Sequence, residues 1–196
     1  MSRLIAIEYY AKKYINLKDK VLNSDITAID NVSSVINACR LKFINIRFEI
    51  MDADDIKFEG RPFDIILIGN VFEHLDNPIN VLKKAKNVLK PEGIIIISTP
   101  NRYRLQNTIR ILTGRPVGIS EGHVTEYSIG QVIEMARYCG LNLAEGVFPG
   151  FNYMKKGILW RAGYYISKTI LSFYLFLTGS RHNLNPVAFY ILKVAS

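Results

Sequence analysis

The chain has 196 residues, a formal net charge of +8, 49% hydrophobic and 21% charged residues. That composition excludes wholesale disorder and any collagen-like class, and the length fits one domain that buries on the order of 70% of its unfolded surface. Two cysteines, Cys39 and Cys139, lie far apart, which excludes a disulfide scaffold or a Cys-rich zinc module and fits a reducing, cytoplasmic compartment.

Residues 3–14 place Leu4, Ile7 and Tyr14 at helical spacing and predict a helix. No long apolar core precedes a cleavage site, so no secretory signal is expected. Ile26–Asp30 is a short β-branched run and predicts a strand. Ser33 or Ser34 then caps a helix reaching about Leu41. Arg47–Met51 alternates as a strand does. Phe63–Gly69 is nearly continuous apolar sequence, the pattern of a strand buried on both faces. Asp76-Asn77-Pro78 combines a capping side chain with a first-turn proline and starts a helix to about Leu89. Lys90–Gly93 reads as a turn and Ile94–Ser98 as a second doubly buried strand. A long loop from Thr99 to about Tyr127 follows. Ser128 caps a helix through Tyr138 that Gly140 closes. Leu141–Val147 and Val187–Ala195 read as late strands, with a helix over Gly157–Thr178 between them. Alternating strands and helices predict an α/β fold, a doubly wound, mostly parallel sheet whose ligand sits beyond the carboxyl ends of the strands.

Five segments then carry a resemblance. Ile26–Asp30, Met51–Ile56, Phe63–Leu75, Val88–Asn101 and Gly122–Ser128, in this order, resemble the class I S-adenosylmethionine-dependent methyltransferases of the small-molecule type. The resemblance implies a Rossmann-like methyltransferase fold with the last strand, Val187–Ala195, antiparallel. It implies S-adenosylmethionine as cofactor and a small-molecule acceptor, with transfer to oxygen. Asp30 would accept the ribose hydroxyls, with a turn or helix cap as its alternative role. Asp52 would accept from the adenine amino group, Ala53 would offer a backbone N–H, and Asn70 would line the methionine part. His74 and His123 are the candidate general bases; each has a packing or carbonyl-binding role as its alternative. No metal-ligand spacing is present, and His74, His123 and His182 form no local cluster in sequence.

One element of the family pattern is missing. A first strand with a Gly-rich turn normally precedes Ile26–Asp30 and lies between that strand and Phe63–Gly69, yet the first glycine here is Gly60. Three readings follow. The chain begins at an internal Met of a longer protein; the flanking strands close up in a degenerate domain; or a partner, including a second copy in a homo-oligomer, supplies the strand.

The final quarter differs from the rest. No Asp or Glu follows Glu145, while Lys155, Lys156, Arg161, Lys168, Arg181 and Lys193 do. The sequence therefore reads as one methyltransferase-like domain, 1–196, with 148–186 a basic aromatic helical insertion before the last strand. The longest uncharged run there, Thr169–Ser180, has 12 residues, too few to span a bilayer, which takes about 20. On a helix Arg161, Lys168 and Ser172 share one side, and Trp160, Ile166, Ile170, Phe173, Tyr174 and Leu177 fill the rest. That pattern suits a cover helix on the sheet, a lid over a substrate pocket, or peripheral membrane contact through 157–178. Nucleic-acid binding is disfavoured because the cations are too dispersed to follow phosphates. The leading expectation is a methyltransferase acting on a hydrophobic or lipid-linked small molecule. The alternatives are a non-catalytic relative serving as an interaction or membrane-surface module, and a basic membrane-peripheral or nucleic-acid-associated domain with no cofactor.

Overall fold

The structure is a computed structural model that describes residues 25–44, 46–58, 63–147, 157–179 and 183–195. The helix expected over 3–14, Gly60 and His182 lie outside the described residues. The elements in chain order are β1 (Thr27–Asp30), α1 (Ser33–Lys42), β2 (Arg47–Ile50), β3 (Phe63–Gly69), α2 (Pro78–Asn87), β4 (Leu89–Pro100), α3 (Leu105–Leu112), α4 (Ile129–Tyr138), β5 (Leu141–Val147), α5 (Ile158–Leu177) and β6 (Val187–Val194). Single 3₁₀ turns occupy Ala53–Asp55 and Phe72–His74.

Four strands form one sheet in the order β3-β4-β6-β5. β3 runs parallel to β4, while β6 is antiparallel to both β4 and β5. The antiparallel last strand is the expected one. β4 is central, and its run Ile95-Ile96-Ile97-Ser98-Thr99 is buried throughout. Burying each isoleucine contributes about 1.5–3 kcal/mol. Val81, Leu82 and Ala85 of α2 and Val132 and Ala136 of α4 pack in the same core as Ile95, Ile97, Tyr190 and Leu192. Helix starts follow local chemistry. Asn77 Oδ1 accepts from the Asn80 N–H at 3.1 Å with Pro78 in the first turn, and Ser128 forms a reciprocal capping box with Gln131.

β1 and β2 pair in parallel as a separate two-stranded sheet. Among the described residues β1 pairs only with β2 and β3 only with β4, so β1 and β3 have not closed on each other. Beyond β2 the turn Ala53–Asp55 bonds to helix α2. Lys84 Nζ donates to the Asp54 carbonyl at 2.5 Å and Asn80 Nδ2 to the same oxygen at 3.3 Å. This corrects the reading in which the flanking strands seal the gap.

Three further expectations change. β3 is only half buried, with Ile65 41% exposed, because one of its edges has no described neighbour. α1 begins one residue after Val32, and neither Ser33 nor Ser34 caps it; the Val32 N–H instead reaches Asp30 Oδ1 at 2.9 Å. The Thr99–Tyr127 loop contains the helix α3. Lys90–Gly93 lies within β4, but pairing jumps from Phe63–Leu89 to Ile65–Ile94 there, so the expected irregularity is a bulge rather than a turn. No helix of the described residues is long and apolar enough to cross a membrane.

Gly93 sits where that bulge meets β3. A Cβ built there would lie 2.6 Å from Leu89 Cδ1 and 3.0 Å from the Asp64 carbonyl oxygen. Gly93→Ala is therefore expected to cost about 1–3 kcal/mol through overpacking, read as a lower urea midpoint with an unchanged denaturant slope.

Candidate functional site

Asp30, Asp52 and Asn70 lie at the carboxyl ends of β1, β2 and β3, and His74 and His123 lie in the turn after β3 and in the loop before α4. Asp30 ends β1, and its Oδ1 accepts from the Val32 N–H at 2.9 Å, the turn role that the sequence offers as its alternative. Asp52 follows β2. Its Oδ1 accepts from the Asp54 N–H at 2.8 Å and its Oδ2 from Asn31 Nδ2 at 3.4 Å. β1 and β2 are parallel, with Asp30 opposite Ile50, and the Met51 N–H donates to the Asp30 carbonyl at 3.1 Å. The two acids thus share one edge, with Ala53 opening the turn beyond them. Each carboxylate is oriented by a bond from its own turn.

Asn70 follows β3 in the left-handed region, with φ 50°. A non-glycine residue there is strained, although asparagine tolerates it best. Its N–H is shared between the Ser98 carbonyl at 3.0 Å and Ser98 Oγ at 3.1 Å. β4 therefore holds the bend.

The next turn carries Glu73 and His74. The backbone N–H groups of Val124 and Thr125 both donate to the Glu73 carbonyl, at 2.9 and 3.3 Å, and dock the 122–127 loop over the turn. The His74 and His123 rings consequently meet edge to face with centroids 4.8 Å apart. They stand 49 positions apart in sequence, and the fold makes them a pair. His74 Nδ1 lies 2.7 Å from the Gly122 carbonyl. A carbonyl only accepts, so Nδ1 carries the proton and the lone pair of the neutral ring is on Nε2. The carbonyl-binding role of His74 thereby fixes the tautomer that a base requires.

Glu73 is 2% exposed. Loss of water pushes its carboxyl pKa up, against smaller lowering effects from its own backbone N–H, His123, His74 and Thr99. Glu73, His74 and His123 each bring one ligand-type atom within 4.8 Å of the others, a donor set that could hold a divalent cation.

Sequence reasoning missed the framework of the loop. Glu126 is fully buried and pairs with Arg104 Nη1. Arg104 Nη2 also donates to the Gly118 carbonyl at 3.1 Å, and the Ser120 N–H donates to Glu126 Oε1 at 3.3 Å. His123 Nδ1 stands 3.6 Å from Glu126 Oε1, too long for a hydrogen bond but close enough for a charge contact with a protonated ring. Asn101 Nδ2 donates to the Asn183 and Asn185 carbonyls at 2.5 and 2.8 Å. These partners are far apart in the chain, so no local pattern announces them. A separate cleft of about 330 Å³ lies under α5, lined by Lys168, Ser172, Leu175, Phe176 and residues 183–185. None of the strand-end residues lines it.

A parallel α/β core, an antiparallel last strand and acids at adjacent strand ends define a Rossmann-like methyltransferase fold. Residues 11–135 match the model of the family described as a methyltransferase domain, and the chain belongs to that family, within the class I S-adenosylmethionine-dependent methyltransferases. A ubiquinone biosynthesis O-methyltransferase of Hydrogenovibrio crunogenus is 27% identical over 142 residues, 67% of this chain and 59% of that protein. The chain thus spans less than two thirds of that relative. An S-adenosylmethionine-dependent methyltransferase from Clostridium acetobutylicum superposes with TM-score 0.56 at 14% identity, over 88% of this chain and 76% of that one. A plantazolicin methyltransferase, solved with a pentazolic desmethyl analogue and S-adenosylhomocysteine, superposes with TM-score 0.56 at 18% identity, over 97% of this chain and 72% of that one. At these identities the two structures speak for the fold.

Two predictions follow from the buried charges. Glu126→Gln leaves Arg104 without its counter-ion and is expected to cost about 3 kcal/mol; adding Arg104→Met should recover part of that loss in urea unfolding. Glu73 has a raised folded pKa, so its stabilising protonated form is complete below the ordinary carboxylate range and is lost as pH rises through the folded value. Glu73→Gln should therefore melt above the parent at neutral pH, and the difference should shrink as pH falls. A melting series in which the two differ equally at every pH would contradict this.

Proposed function

We propose that this chain binds S-adenosylmethionine at the carboxyl ends of β1, β2 and β3 and methylates a hydroxyl oxygen of a small molecule. The observation that carries the reading is the placement of Asp30 and Asp52 side by side at adjacent strand ends, each held by its own turn. This donor set fits the adenosine half of the cofactor. A carboxylate accepts well from paired ribose hydroxyls, the role given to Asp30. Asp52 would accept from the adenine amino group, and the Ala53 N–H would donate to the ring. Asn70, bent at the end of β3, would line the methionine half. When bound, the cofactor supplies a methyl group on a positively charged sulfur.

The protein's own contribution is positioning and proton removal. An alcohol or phenol gives up its proton as its oxygen becomes bonded to carbon. His74 Nε2 is the atom poised to accept it, since Nδ1 is committed to Gly122. His123 beside it would share the charge, with Glu126 as its counter-ion. The O-methyltransferase named among the relatives supports oxygen as the acceptor atom. The chain would act as one domain, 1–196, with 148–186 an insertion before β6. The apolar surface of that insertion favours a hydrophobic or lipid-linked acceptor.

The test is calorimetric titration with S-adenosylhomocysteine. Micromolar binding, about −8 kcal/mol, is expected, with at least a tenfold loss (about 1.4 kcal/mol) in Asp30→Ala and in Asp52→Ala. A folded chain that fails to bind at millimolar ligand would favour the non-catalytic reading. With a phenolic acceptor, His74→Ala should lower kcat by about 10²-fold or more while leaving S-adenosylhomocysteine affinity unchanged.

A further inference from the structure

Helix α5 turns its cations toward the protein. Arg161, Tyr164, Lys168, Leu171 and Leu175 form its less exposed side, and Tyr164 packs with Leu105 of α3 and Leu184. The sheet-cover and lid readings would bury the apolar side instead, yet Ile166, Ile170 and Phe173 are 60–67% exposed.

The inward side does not close completely. The cleft of about 330 Å³ lies between α5 and the segment that leads into β6, a volume at the small end of the range for ligand sites. That segment is already fixed. The Leu105 N–H donates to the Leu184 carbonyl at 3.0 Å, Asn101 Nδ2 holds the Asn183 and Asn185 carbonyls, and the Asn185 N–H donates to Asn183 Oδ1 at 2.9 Å. One wall of the cleft is thus anchored just beyond the end of β4.

The other wall carries the charge. Lys168 and Ser172, one helical turn apart, both line the cleft. Lys168 is half-buried, and its Nζ donates to Oδ1 of the buried Asn185 at 2.5 Å. An ammonium has three protons to donate, and this bond uses one. No carboxylate lines the cleft. Loss of water pushes the Lys168 pKa down, and no acid among the described residues offsets it. A half-buried charge without a counter-ion is costly, and a bound anion would relieve that cost. Ser172 offers a second donor beside it.

The count of charges selects the anion. Lys168 is the one cation that lines the cleft, which matches a carboxylate; a phosphate monoester carries about 1.5–2 negative charges at neutral pH. Leu175, Phe176 and Leu184, on the same walls, suit an apolar body. We propose that the cleft under α5 binds a small amphipathic carboxylate, with Lys168 as counter-ion, Ser172 as second donor and the alkyl part against Leu175, Phe176 and Leu184. The site is separate from the strand-end residues, and the proposal does not rest on methyl transfer.

The test titrates the full chain with octanoate, 1-octanol, acetate and octyl phosphate, followed by calorimetry and by the side-chain amide NMR signals of Asn183 and Asn185. Octanoate is expected to bind with a Kd of about 1 mM or tighter and to shift both signals. Octanol, which lacks the charge, and acetate, which lacks the apolar body, should each bind roughly tenfold more weakly or worse. Ser172 is exposed, so Ser172→Glu should keep the parental circular dichroism spectrum while setting a carboxylate of its own one turn from Lys168. Ser172→Glu and Lys168→Met should each lower octanoate affinity by roughly tenfold or more. Octanol binding as tightly as octanoate, octyl phosphate binding more tightly, or parental affinity in Ser172→Glu overturns the proposal. So does displacement of octanoate by S-adenosylhomocysteine, which would place it at the strand ends, or the absence of any shift at Asn183 and Asn185.

Discussion

β4 has a hydrogen-bonded neighbour on each side, β3 in parallel and β6 in antiparallel, and Ile95 to Thr99 are buried. A strand in that position must satisfy its backbone on both edges and fill both faces, which fixes its register. The site inherits that rigidity. Ser98, near the end of β4, holds Asn70 in its bend through carbonyl and hydroxyl together. Asn101, just beyond, ties the chain to the segment that leads into β6. The loop that follows is then closed by the Arg104–Glu126 pair and delivers His123 to His74. Positioning at strand ends is what methyl transfer by in-line displacement demands most.

The two-stranded β1–β2 sheet stands in a different relation to that core. Its acids are ordered by their own turns, and the Ala53–Asp55 turn beyond it bonds to α2. Cofactor binding as proposed would draw on both sheets. The adenosine end would rest on β1 and β2, and the methionine end on β3 and the bend at Asn70. A ligand that spans both would stabilise their mutual placement in proportion to its affinity.

Much of this was legible in the sequence because the signals are local. Phe63–Gly69 declares a strand by its apolar run, Asn77-Pro78 a helix start, and Ser128 a helix cap. The antiparallel last strand followed from the resemblance. The helix α3 was overlooked although Leu105, Ile109 and Leu112 have helical spacing, because its polar Asn107 is buried and its exposed face is apolar. The Arg104–Glu126 pair and the His74–His123 contact join residues 22 and 49 positions apart, and only tertiary folding brings them together. The orientation of α5 was also beyond the sequence. Its pattern shows two faces, but which one turns inward depends on Tyr164 meeting Leu105 and on Lys168 meeting Asn185.

The most direct measurement is a crystal structure of the chain with S-adenosylhomocysteine. The account predicts ribose hydroxyls on Asp30, the adenine edge at Asp52 and Ala53, and the thioether sulfur directed past Asn70 toward His74 and His123. Ligand bound elsewhere, in the cleft under α5 for instance, with Asp30 and Asp52 left in solvent, would contradict it.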